Sequence, residues 1–268
     1  MSDLPMLHWQ EDGQAQSARW RSEAAVAPPK RVAIVDDQTR ADEAWKLACE
    51  GTALLYRGDF QNARQLLQAL GRRAEKRPKK AASITEAFHQ HRMAQAQRAR
   101  TLGLLLIPLD GGYGIPLRRA PDVGMACTEA WGEAGGQPSV VSLRELQGLI
   151  GAHEWRKKGV PIPALDGAHI HPHYGVFSPV RGEYVDLVAA APLPSTEGTP
   201  LNAFDIGTGT GVLAAVLAKR DVKKVIGTDR DPRALACARD NIERLGLGKQ
   251  VKVVAADLFP EGRAPLIV

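Results

Sequence analysis

The residues best suited to chemistry lie in one short stretch, FDIGTGTGVLAAVLAKR, at positions 204–220. Gly207, Gly209 and Gly211 alternate with other residues between an apolar, strand-like run and a run with helical periodicity. Glycine lets the backbone adopt left-handed angles and leaves no side chain between the backbone and a ligand, while the first amides of the following helix face that ligand. The stretch therefore predicts a strand, a turn and a helix that bind a nucleotide-like group.

Two carboxylates downstream of this turn stand at the ends of further apolar runs. VIGTD ends in Asp229, where a carboxylate can accept hydrogen bonds from ribose hydroxyls. VKVVAADLF contains Asp257, which can accept from the exocyclic amine of adenine, with Leu258 and Phe259 available for apolar contact with a ring. A helix with Asp231 as its cap is predicted between these runs. Strands alternating with helices predict a parallel, three-layer α/β sheet with the ligand at the carboxyl ends of its strands.

Two cofactor classes compete for such a turn. A dinucleotide fingerprint requires G-x-G-x-x-G, but Val212 stands where its third glycine belongs, so a dehydrogenase is the lesser alternative. An acidic residue, Asp205, precedes the first glycine by two positions. The run D-I-G-T-G-T-G resembles motif I of class I S-adenosylmethionine-dependent methyltransferases, TDRDP resembles their acidic second-strand motif, and AADLF resembles their adenine-side motif. The resemblance implies S-adenosyl-L-methionine as the cofactor.

A narrower resemblance covers residues 174–268. GVFSPVRGEYVDLVA is similar to the segment that precedes motif I in the HemK-like, release-factor glutamine methyltransferases and related small-domain enzymes. This resemblance implies that the three glycines contact the methionine end of the cofactor, with Asp229 at the ribose and Asp257 near adenine. The further residues that it implies around the cofactor, the last three as part of a cleft wall, are Asp205, Thr208, Arg230, Leu258, Phe177, Pro179 and Arg181. No residue is assigned as catalytic, and no metal ligand is assigned.

One motif of the resembled enzymes has no counterpart in this sequence. In those enzymes an Asn-Pro-Pro-Tyr/Trp type motif follows the fourth strand and holds the amide or amine that is methylated. The sequence ends at Val268, before that point. We therefore expect an incomplete part of a longer methyltransferase that is inactive as given, with residues 266–268 at an open sheet edge. The alternative is a non-catalytic, cofactor-binding remnant with a protein- or RNA-interaction module.

Two classes of nitrogen are candidates for the methyl acceptor. The resemblance to release-factor enzymes implies a protein glutamine in a release-factor-like partner. A basic stretch favours a base of ribosomal or transfer RNA instead, because clustered cations neutralise phosphates, although a solvated helix face joined by a basic loop is the alternative interpretation. The cations of this stretch are Arg72, Arg73, Lys76, Arg77, Lys79, Lys80, Arg92, Arg98 and Arg100, against Glu75 and Glu86.

The elements that must position these residues fall into four segments. We predict a loose N-terminal lead over residues 1–40 and a mainly helical accessory domain for substrate recognition over 41–160. A connecting segment beside the cleft is predicted over 161–200, and the N-terminal half of the methyltransferase domain over 201–268. The fold class is α/β, a partial Rossmann-like class I methyltransferase sheet preceded by a mainly helical domain. Apolar stripes predict two antiparallel helices joined near Gly58 and a third from Ser83 to Gly103. A hairpin is predicted around LLLIPLDGGYG, followed by a helix capped by Ser142.

Composition excludes several classes of protein. The chain has 268 residues, 44% of them hydrophobic, which is enough for packed cores. Cys49, Cys127 and Cys237 show no C-x-x-C spacing, so neither a disulfide framework nor a zinc site is predicted. No apolar run approaches the roughly 18 residues of a membrane span, and the start lacks the features of a signal peptide. We expect a cytoplasmic protein with no membrane partner.

The histidines of HIHPHYG form a further candidate cluster. His169, His171 and His173 alternate and could line one face of a strand, as transition-metal ligands do. Pro172 interrupts regular pairing, and no carboxylate or cysteine is fixed nearby. We interpret them as loop histidines beside a binding cleft.

Overall fold

The computed structural model describes residues 4–75, 82–195 and 201–268. The chain divides into two compact units, Met1–Ile150 and Gly151–Val268. The cations at positions 76, 77, 79 and 80 of the basic stretch lie outside the described residues.

The N-terminal unit is built on a mixed sheet. Its strands in the described residues are β1 Met6–Glu11, β2 Gln14–Arg21, β3 Val32–Val35, β4 Ala53–Tyr56, β5 Leu105–Leu109 and β6 Ser139–Ser142. They are ordered β1-β2-β6-β5-β4-β3. Strands β3, β4 and β5 run parallel, β6 is antiparallel to β5, and β1 and β2 form an antiparallel pair. This unit therefore has an α/β sheet of its own.

Helices connect the strands of this unit. Those that begin in it are α1 Ala41–Cys49, α2 Phe60–Ala74, α3 Ile84–Leu102, α4 Gly124–Trp131 and α5 Leu143–Lys158. The predicted caps of α3 are confirmed, since the Ser83 hydroxyl accepts from the Glu86 amide at 3.1 Å and Gly103 is the C-cap. Helix α5 begins directly after Ser142, as predicted.

The prediction of a loose lead over residues 1–40 is wrong. Leu7, Ala18 and Trp20 are at most 4% exposed and lie in β1 and β2, where they join a core cluster with residues of β4, β5 and β6. The two strands are joined at Asp12 and Gly13, both with positive φ angles of 51° and 76°. An Asp-Gly pair between apolar-polar alternations is a hairpin signal, and it outweighs the overall polarity of the segment.

The prediction of a mainly helical domain over residues 41–160 misses the strands β4, β5 and β6, which lie among the helices α1 to α5. The run ALLY at 53–56, part of the first of the two helices predicted to join near Gly58, forms β4, and its four residues are all buried. A fully buried strand shows no alternation, so its apolar run is indistinguishable by periodicity from a buried helix turn. The hairpin predicted after β5 is absent from the described residues, because β5 pairs with β4 and with β6, which lies beyond α4.

The C-terminal unit contains the predicted strand, turn and helix. Its elements after α5 are β7 Val160–Pro161, a 3-10 turn at Pro163–Leu165, β8 His169–Ile170, α6 Glu183–Ala190, β9 Asn202–Ile206, α7 Val212–Lys219, β10 Lys224–Asp229, α8 Pro232–Arg244, β11 Val251–Ala255 and β12 Leu266–Ile267. Strands β11, β10, β9 and β12 form a parallel sheet in that order. The carboxyl ends of β9, β10 and β11 therefore meet at one edge, as predicted for a Rossmann-like sheet.

Buried apolar residues hold α7 and α8 against this sheet. Six of the eight residues of α7 are buried, from Val212 to Ala218. The inward face of α8 carries Ala234, Leu235, Ala238 and Ile242. Packing of this kind fixes where α7 begins, and with it the turn that precedes it. Among the described helices, none is long and apolar enough to cross a membrane.

Candidate cofactor-binding site

The glycine turn between β9 and α7 requires glycine at all three positions. Gly207, Gly209 and Gly211 have φ angles of 73°, 53° and 80°, in the left-handed region that other residues rarely adopt. A Cβ atom added at Gly211 would lie 3.3 Å from the Ala238 Cα atom of α8, whereas one at Gly207 would meet nothing within 4 Å. The turn is thus packed against α8 behind Gly211 and open in front of Gly207.

Backbone hydrogen bonds tie this turn to the neighbouring strand. The Thr208 amide donates to the Thr228 carbonyl at 2.7 Å, and the Gly211 amide closes the turn on the Thr208 carbonyl at 2.7 Å. The Gly209 amide donates to Asp229 Oδ2 at 3.2 Å. The turn and the end of β10 therefore form one hydrogen-bonded unit.

Asp205 and Thr208 support the turn from inside. Asp205 is 2% exposed, and its Oδ2 accepts from Thr208 Oγ1 at 2.6 Å and from the Ala214 amide in the first turn of α7 at 3.0 Å. Burial raises the pKa of Asp205 to about 6, against the opposing effect of these two donors. Thr208 is 5% exposed, and a Cβ at Gly227 would lie 2.8 Å from its Oγ1. Both side chains point into the protein, so neither offers a face to a ligand.

Asp229 lies at the carboxyl end of β10, beside the turn. Its Oδ2 accepts from Gly209 and its Oδ1 accepts from the Asp231 amide at 2.9 Å. A carboxylate has about four lone-pair sites, so each oxygen keeps one for a further donor. Asp229 is partly exposed and can therefore accept from ligand hydroxyls while it holds the turn.

The end of β11 supplies exposed apolar and acidic groups. Leu258 and Phe259 are 61% and 60% exposed, and Asp257 faces solvent 3.9 Å from Arg230. Leu258 has a φ angle of 74°, and its carbonyl accepts from Thr228 Oγ1 at 2.7 Å, which ties this loop to the buried end of β10. The predicted adenine-side residues thus follow the strand adjacent to the one that carries Asp229.

The predicted cleft wall precedes α6. Phe177 is 72% exposed, Arg181 is exposed and Pro179 is buried. The Phe177 ring lies 6.3 Å from the ring of Tyr184, whose pKa is raised by burial and by the charge of Asp205. The wall at Tyr184 therefore lies close enough to the glycine turn to be affected by the charge of Asp205. The Phe177 ring next to Tyr184 is exposed.

The three alternating histidines bind backbone and side chains of the C-terminal unit. The Nδ1 atoms of His169 and His171 lie 3.0 and 2.7 Å from the carbonyls of Lys158 and Arg156. His173 Nε2 lies 2.9 Å from Asp240 Oδ2. Within the described ranges, no group of three or more His, Cys, Asp or Glu side chains is arranged to hold a metal ion.

Sequence reasoning overlooked three residues that shape this site. Tyr184 supports the wall, Thr228 joins β10 to Leu258, and Asn241 contacts the turn from α8. Asn241 carried a visible signal, since it is a polar residue within the apolar stripe of α8. Thr228 carried none, because its partner Leu258 is 30 residues away in the sequence.

The residues of the site match the chemical groups of the predicted cofactor. The space before Gly207 admits a ligand backbone, the spare lone pairs of Asp229 suit hydroxyl donors, and Leu258 and Phe259 suit a planar ring. In the wall, the Ser178 Oγ atom is buried without a hydrogen-bond partner among the described residues.

Comparison with known proteins points to the same part of the chain. Residues 193–268 match the family model for Ribosomal protein L11 methyltransferase (PrmA). The ribosomal protein L11 methyltransferase of Pelotomaculum thermopropionicum is 30% identical over 154 residues, which cover 50% of this chain and 49% of that protein. That of Geobacter metallireducens is 32% identical over 134 residues, 44% of each chain. The chain therefore spans about half the length of the curated relatives it matches.

Solved structures give weaker matches. The N-terminal domain of human METTL16 with S-adenosylhomocysteine is 19% identical, with a TM-score of 0.27, over 55% of this chain and 58% of that one. TrmK of M. capricolum with S-adenosylhomocysteine is 24% identical, with a TM-score of 0.25, over 28% and 31%. These scores are too low to establish a shared overall fold.

The sequence matches coincide with the parallel sheet, the left-handed glycine turn and the carboxylate at the end of β10. Over residues 193–268 the chain is thus similar in sequence to the ribosomal protein L11 methyltransferases, and this similarity includes the predicted cofactor-binding turn.

Proposed function

We propose that the whole protein transfers a methyl group from S-adenosylmethionine to a nitrogen of a protein substrate. The observation that carries this proposal is the glycine turn, open before Gly207 and joined to the Asp229 carboxylate through the Gly209 amide. The names of the curated relatives favour a protein acceptor, since each methylates, by its name, ribosomal protein L11. A glutamine acceptor, as the HemK-like resemblance implies, is the narrower hypothesis within this class.

The chain's own residues act in this proposal by binding and orientation. The backbone at Gly207 and Gly209 bounds the methionine end of the cofactor, Asp229 accepts from its ribose hydroxyls, and Leu258 and Phe259 contact its ring. The exposed Phe177 ring excludes water from the side of the wall. When bound, S-adenosylmethionine would supply an electrophilic methyl group; its transfer forms a nitrogen–carbon bond, breaks a sulfur–carbon bond and releases one proton from the nitrogen to solvent. Alignment of the acceptor with this methyl group is the main source of acceleration.

A titration of the 268-residue chain with S-adenosylhomocysteine tests the cofactor. We expect saturable binding, and we expect Asp229→Asn to weaken it about 10-fold, about 1.4 kcal/mol, because a charge-assisted acceptor for the ribose is lost. Asp221→Asn is the matched control, since Asp221 is an exposed carboxylate beyond the opposite end of α7. Binding of NAD without binding of S-adenosylhomocysteine would establish the dehydrogenase alternative and refute the proposal.

A protein acceptor is tested with the whole protein and radiolabelled S-adenosylmethionine. We expect the label to enter ribosomal proteins and to resist ribonuclease treatment. Label found only in glutamine side chains would favour the HemK-like hypothesis, and label lost with ribonuclease would refute a protein acceptor.

An RNA acceptor is the second candidate, and α3 is the observation that favours it. Every residue from Ile84 to Gln97 is exposed except Gln90, which is half-buried. Arg73 and Arg98 are paired with Asp42 and Glu75, whereas Arg92 and Arg100 face solvent. This leaves part of the basic stretch available to phosphates.

Salt dependence tests this second candidate. We expect RNA retention to fall steeply between low and moderate salt if phosphates are neutralised, and to be abolished by charge reversal at Arg72, Arg92 and Arg100. Arg64→Glu, at an exposed position of α2, is the matched control. Retention that is independent of salt and of these charges would exclude an RNA-binding role for α2 and α3.

A further inference from the structure

A single asparagine of α8 contacts two backbone segments that border the candidate cofactor site. Asn241 is 0% exposed, and its Nδ2 lies 3.1 Å from the Thr210 carbonyl in the glycine turn. The same Nδ2 lies 3.2 Å from the His171 carbonyl, and Oδ1 accepts from the His171 amide at 2.7 Å. One amide group therefore connects the turn to a segment 39 residues earlier in the chain.

The segment that Asn241 holds leads directly into the cleft wall. Beyond His171, the His173 amide donates to Cys237 Sγ at 3.3 Å, and the His173 ring contacts Asp240. The Arg233 guanidinium lies over the Tyr174 ring at 5.8 Å. Residues 171–174 thus run along α8, and the exposed Phe177 follows three residues later.

Asn241 makes one bond within α8 as well, since its Nδ2 lies 3.1 Å from the Cys237 carbonyl. Its neighbours on the inward face of α8 are apolar, and a buried amide is costly unless its donors and acceptor are satisfied. The bonds of Asn241 to backbone outside α8 are those to Thr210 and His171, and they are the ones that reach the site. Gly211 packs against Ala238 one helical turn earlier, so α8 supports the turn at two points.

We propose that Asn241 is a positioning residue for the cofactor. By fixing the Thr210 carbonyl it sets the orientation of the Gly209 and Gly211 amides, and by fixing His171 it sets the approach of the wall that carries Phe177. The inference rests on the proposed function, since it takes the ligand of the turn to be S-adenosylmethionine. Asn241 does not touch the ligand itself and acts only through these two segments.

Three variants separate this role from simple support of the core. Asn241→Leu keeps the branched shape and the number of side-chain heavy atoms and removes every polar contact. Asn241→Asp keeps the acceptor for the His171 amide but loses the donor to Thr210. Ile242→Val is the control, since Ile242 is also buried on α8 and bonds neither segment. The protein is the 268-residue chain, and the ligand is S-adenosylhomocysteine, titrated at a temperature where all variants are folded.

We expect all three variants to lower the melting temperature, but only the two Asn241 variants to weaken S-adenosylhomocysteine binding by 10-fold or more. Without ligand, amide exchange at Gly209 and Gly211 should be at least 10-fold faster in Asn241→Leu than in Ile242→Val. In Asn241→Asp, lowering the pH protonates the new carboxyl and restores a donor to Thr210. Ligand affinity of this variant should therefore recover as the pH falls, which a purely structural loss would not show.

Unchanged affinity and unchanged exchange in both Asn241 variants would overturn the inference. If Asn241→Leu fails to fold, the pH recovery of Asn241→Asp decides the question, and its absence counts against the proposal. If the unsubstituted chain does not bind S-adenosylhomocysteine, the proposed function fails. The exchange rates of Gly209 and Gly211, measured without ligand, then decide separately whether Asn241 positions the turn.

Discussion

The carboxyl ends of the parallel strands differ sharply between the two units. In the N-terminal unit, Asp37 after β3 accepts from the Tyr56 hydroxyl at 2.8 Å and from the Asp59 amide at 3.1 Å, and it is paired with Arg118. Asp59 after β4 caps α2 and is paired with Arg119. The chain's own groups thus occupy these carboxylates, so the same type of sheet edge that binds ligands elsewhere is satisfied internally.

In the C-terminal unit the corresponding edge stays open. Gly207 faces space, and among the described residues Asp229 accepts from the backbone amides of Gly209 and Asp231, which leaves lone pairs on both oxygens. Parallel topology therefore provides a place for a ligand, but a turn of left-handed glycines and an unsaturated carboxylate decide whether the place is available.

Asp37 in the first unit and the buried Asp205 in the second also have opposite pKa shifts. The pKa of Asp37 is lowered to about 2, chiefly because the Asp59 amide donates to it. The pKa of Asp205 is raised to about 6, because burial penalises its charge more than its two donors favour it. Hydrogen bonding dominates the pKa shift of Asp37, and desolvation dominates that of Asp205.

The largest expected effect is an opposite response of these two groups to pH. The pKa of Asp205 is 3.8 ordinarily and about 6 in the folded state, so the folded state binds more protons between these values. The contribution of Asp205 to the free energy of unfolding therefore falls by about 3 kcal/mol as pH rises through this window. Asp205→Asn should lack this dependence, and calorimetric melts of both proteins from pH 4 to 7 would measure the difference.

Asp37→Asn supplies the contrast for this prediction. Because the pKa of Asp37 is lowered from 3.8 to about 2, its stabilising contribution is present above pH 3.8 and is lost as pH falls toward 2. Between pH 4 and 7 the difference between wild type and Asp37→Asn should stay constant. If the free energies of unfolding of wild type and Asp205→Asn changed with pH in parallel, burial would not be the dominant cause of the raised pKa of Asp205.

A smaller effect should follow from Gly211→Ala. A non-glycine residue in the left-handed region costs about 1–2 kcal/mol, and the new Cβ would also press on Ala238 at 3.3 Å. We expect about 2 kcal/mol or more of lost stability in chemical denaturation, together with weaker binding of S-adenosylhomocysteine.

Gly207→Ala and Gly248→Ala are matched controls for that variant. Gly207 has the same type of φ angle but open space, so it should show the backbone cost without the crowding. Gly248 has neither constraint and should be neutral. Equal losses at Gly211 and Gly248 would mean that the turn geometry is not a source of strain.

The smallest expected effect concerns helix ends. Helix α7 is almost wholly buried and has no side-chain cap at Gly211, whereas α3 is exposed and is capped by Ser83. Ser83→Ala should cost about 1 kcal/mol, since little packing compensates for a lost cap. Hydrogen exchange in residues 84–97 should accelerate without a change in ligand affinity, and Thr85→Ala, in the same turn, should leave the exchange unchanged. Unchanged exchange in Ser83→Ala would show that α3 is held by contacts other than its cap.

The strand, turn and helix pattern of the C-terminal unit could be predicted from the sequence because its signals are local. The alternation of apolar strand and helix runs, the Asp231 cap of α8, confirmed by its bond to Arg233, and the spacing of Gly207, Gly209 and Gly211 depend on neighbours along the chain. Residues whose role depends on a local backbone conformation can be identified from the sequence alone.

The N-terminal sheet and the residues that support the site from inside became visible only in the folded structure. Buried strands such as ALLY lack alternation, so their pairing in β4 depends on β3 and β5, which are distant in sequence. Likewise, Thr208 and Asp205 were predicted from the sequence to lie around the cofactor, yet their side chains are hydrogen-bonded to each other inside the protein. Asn241 acquires a role only because folding brings Thr210 and His171 to the same face of α8. Such long-range contacts depend on the packing of whole elements, which no local pattern of residues specifies.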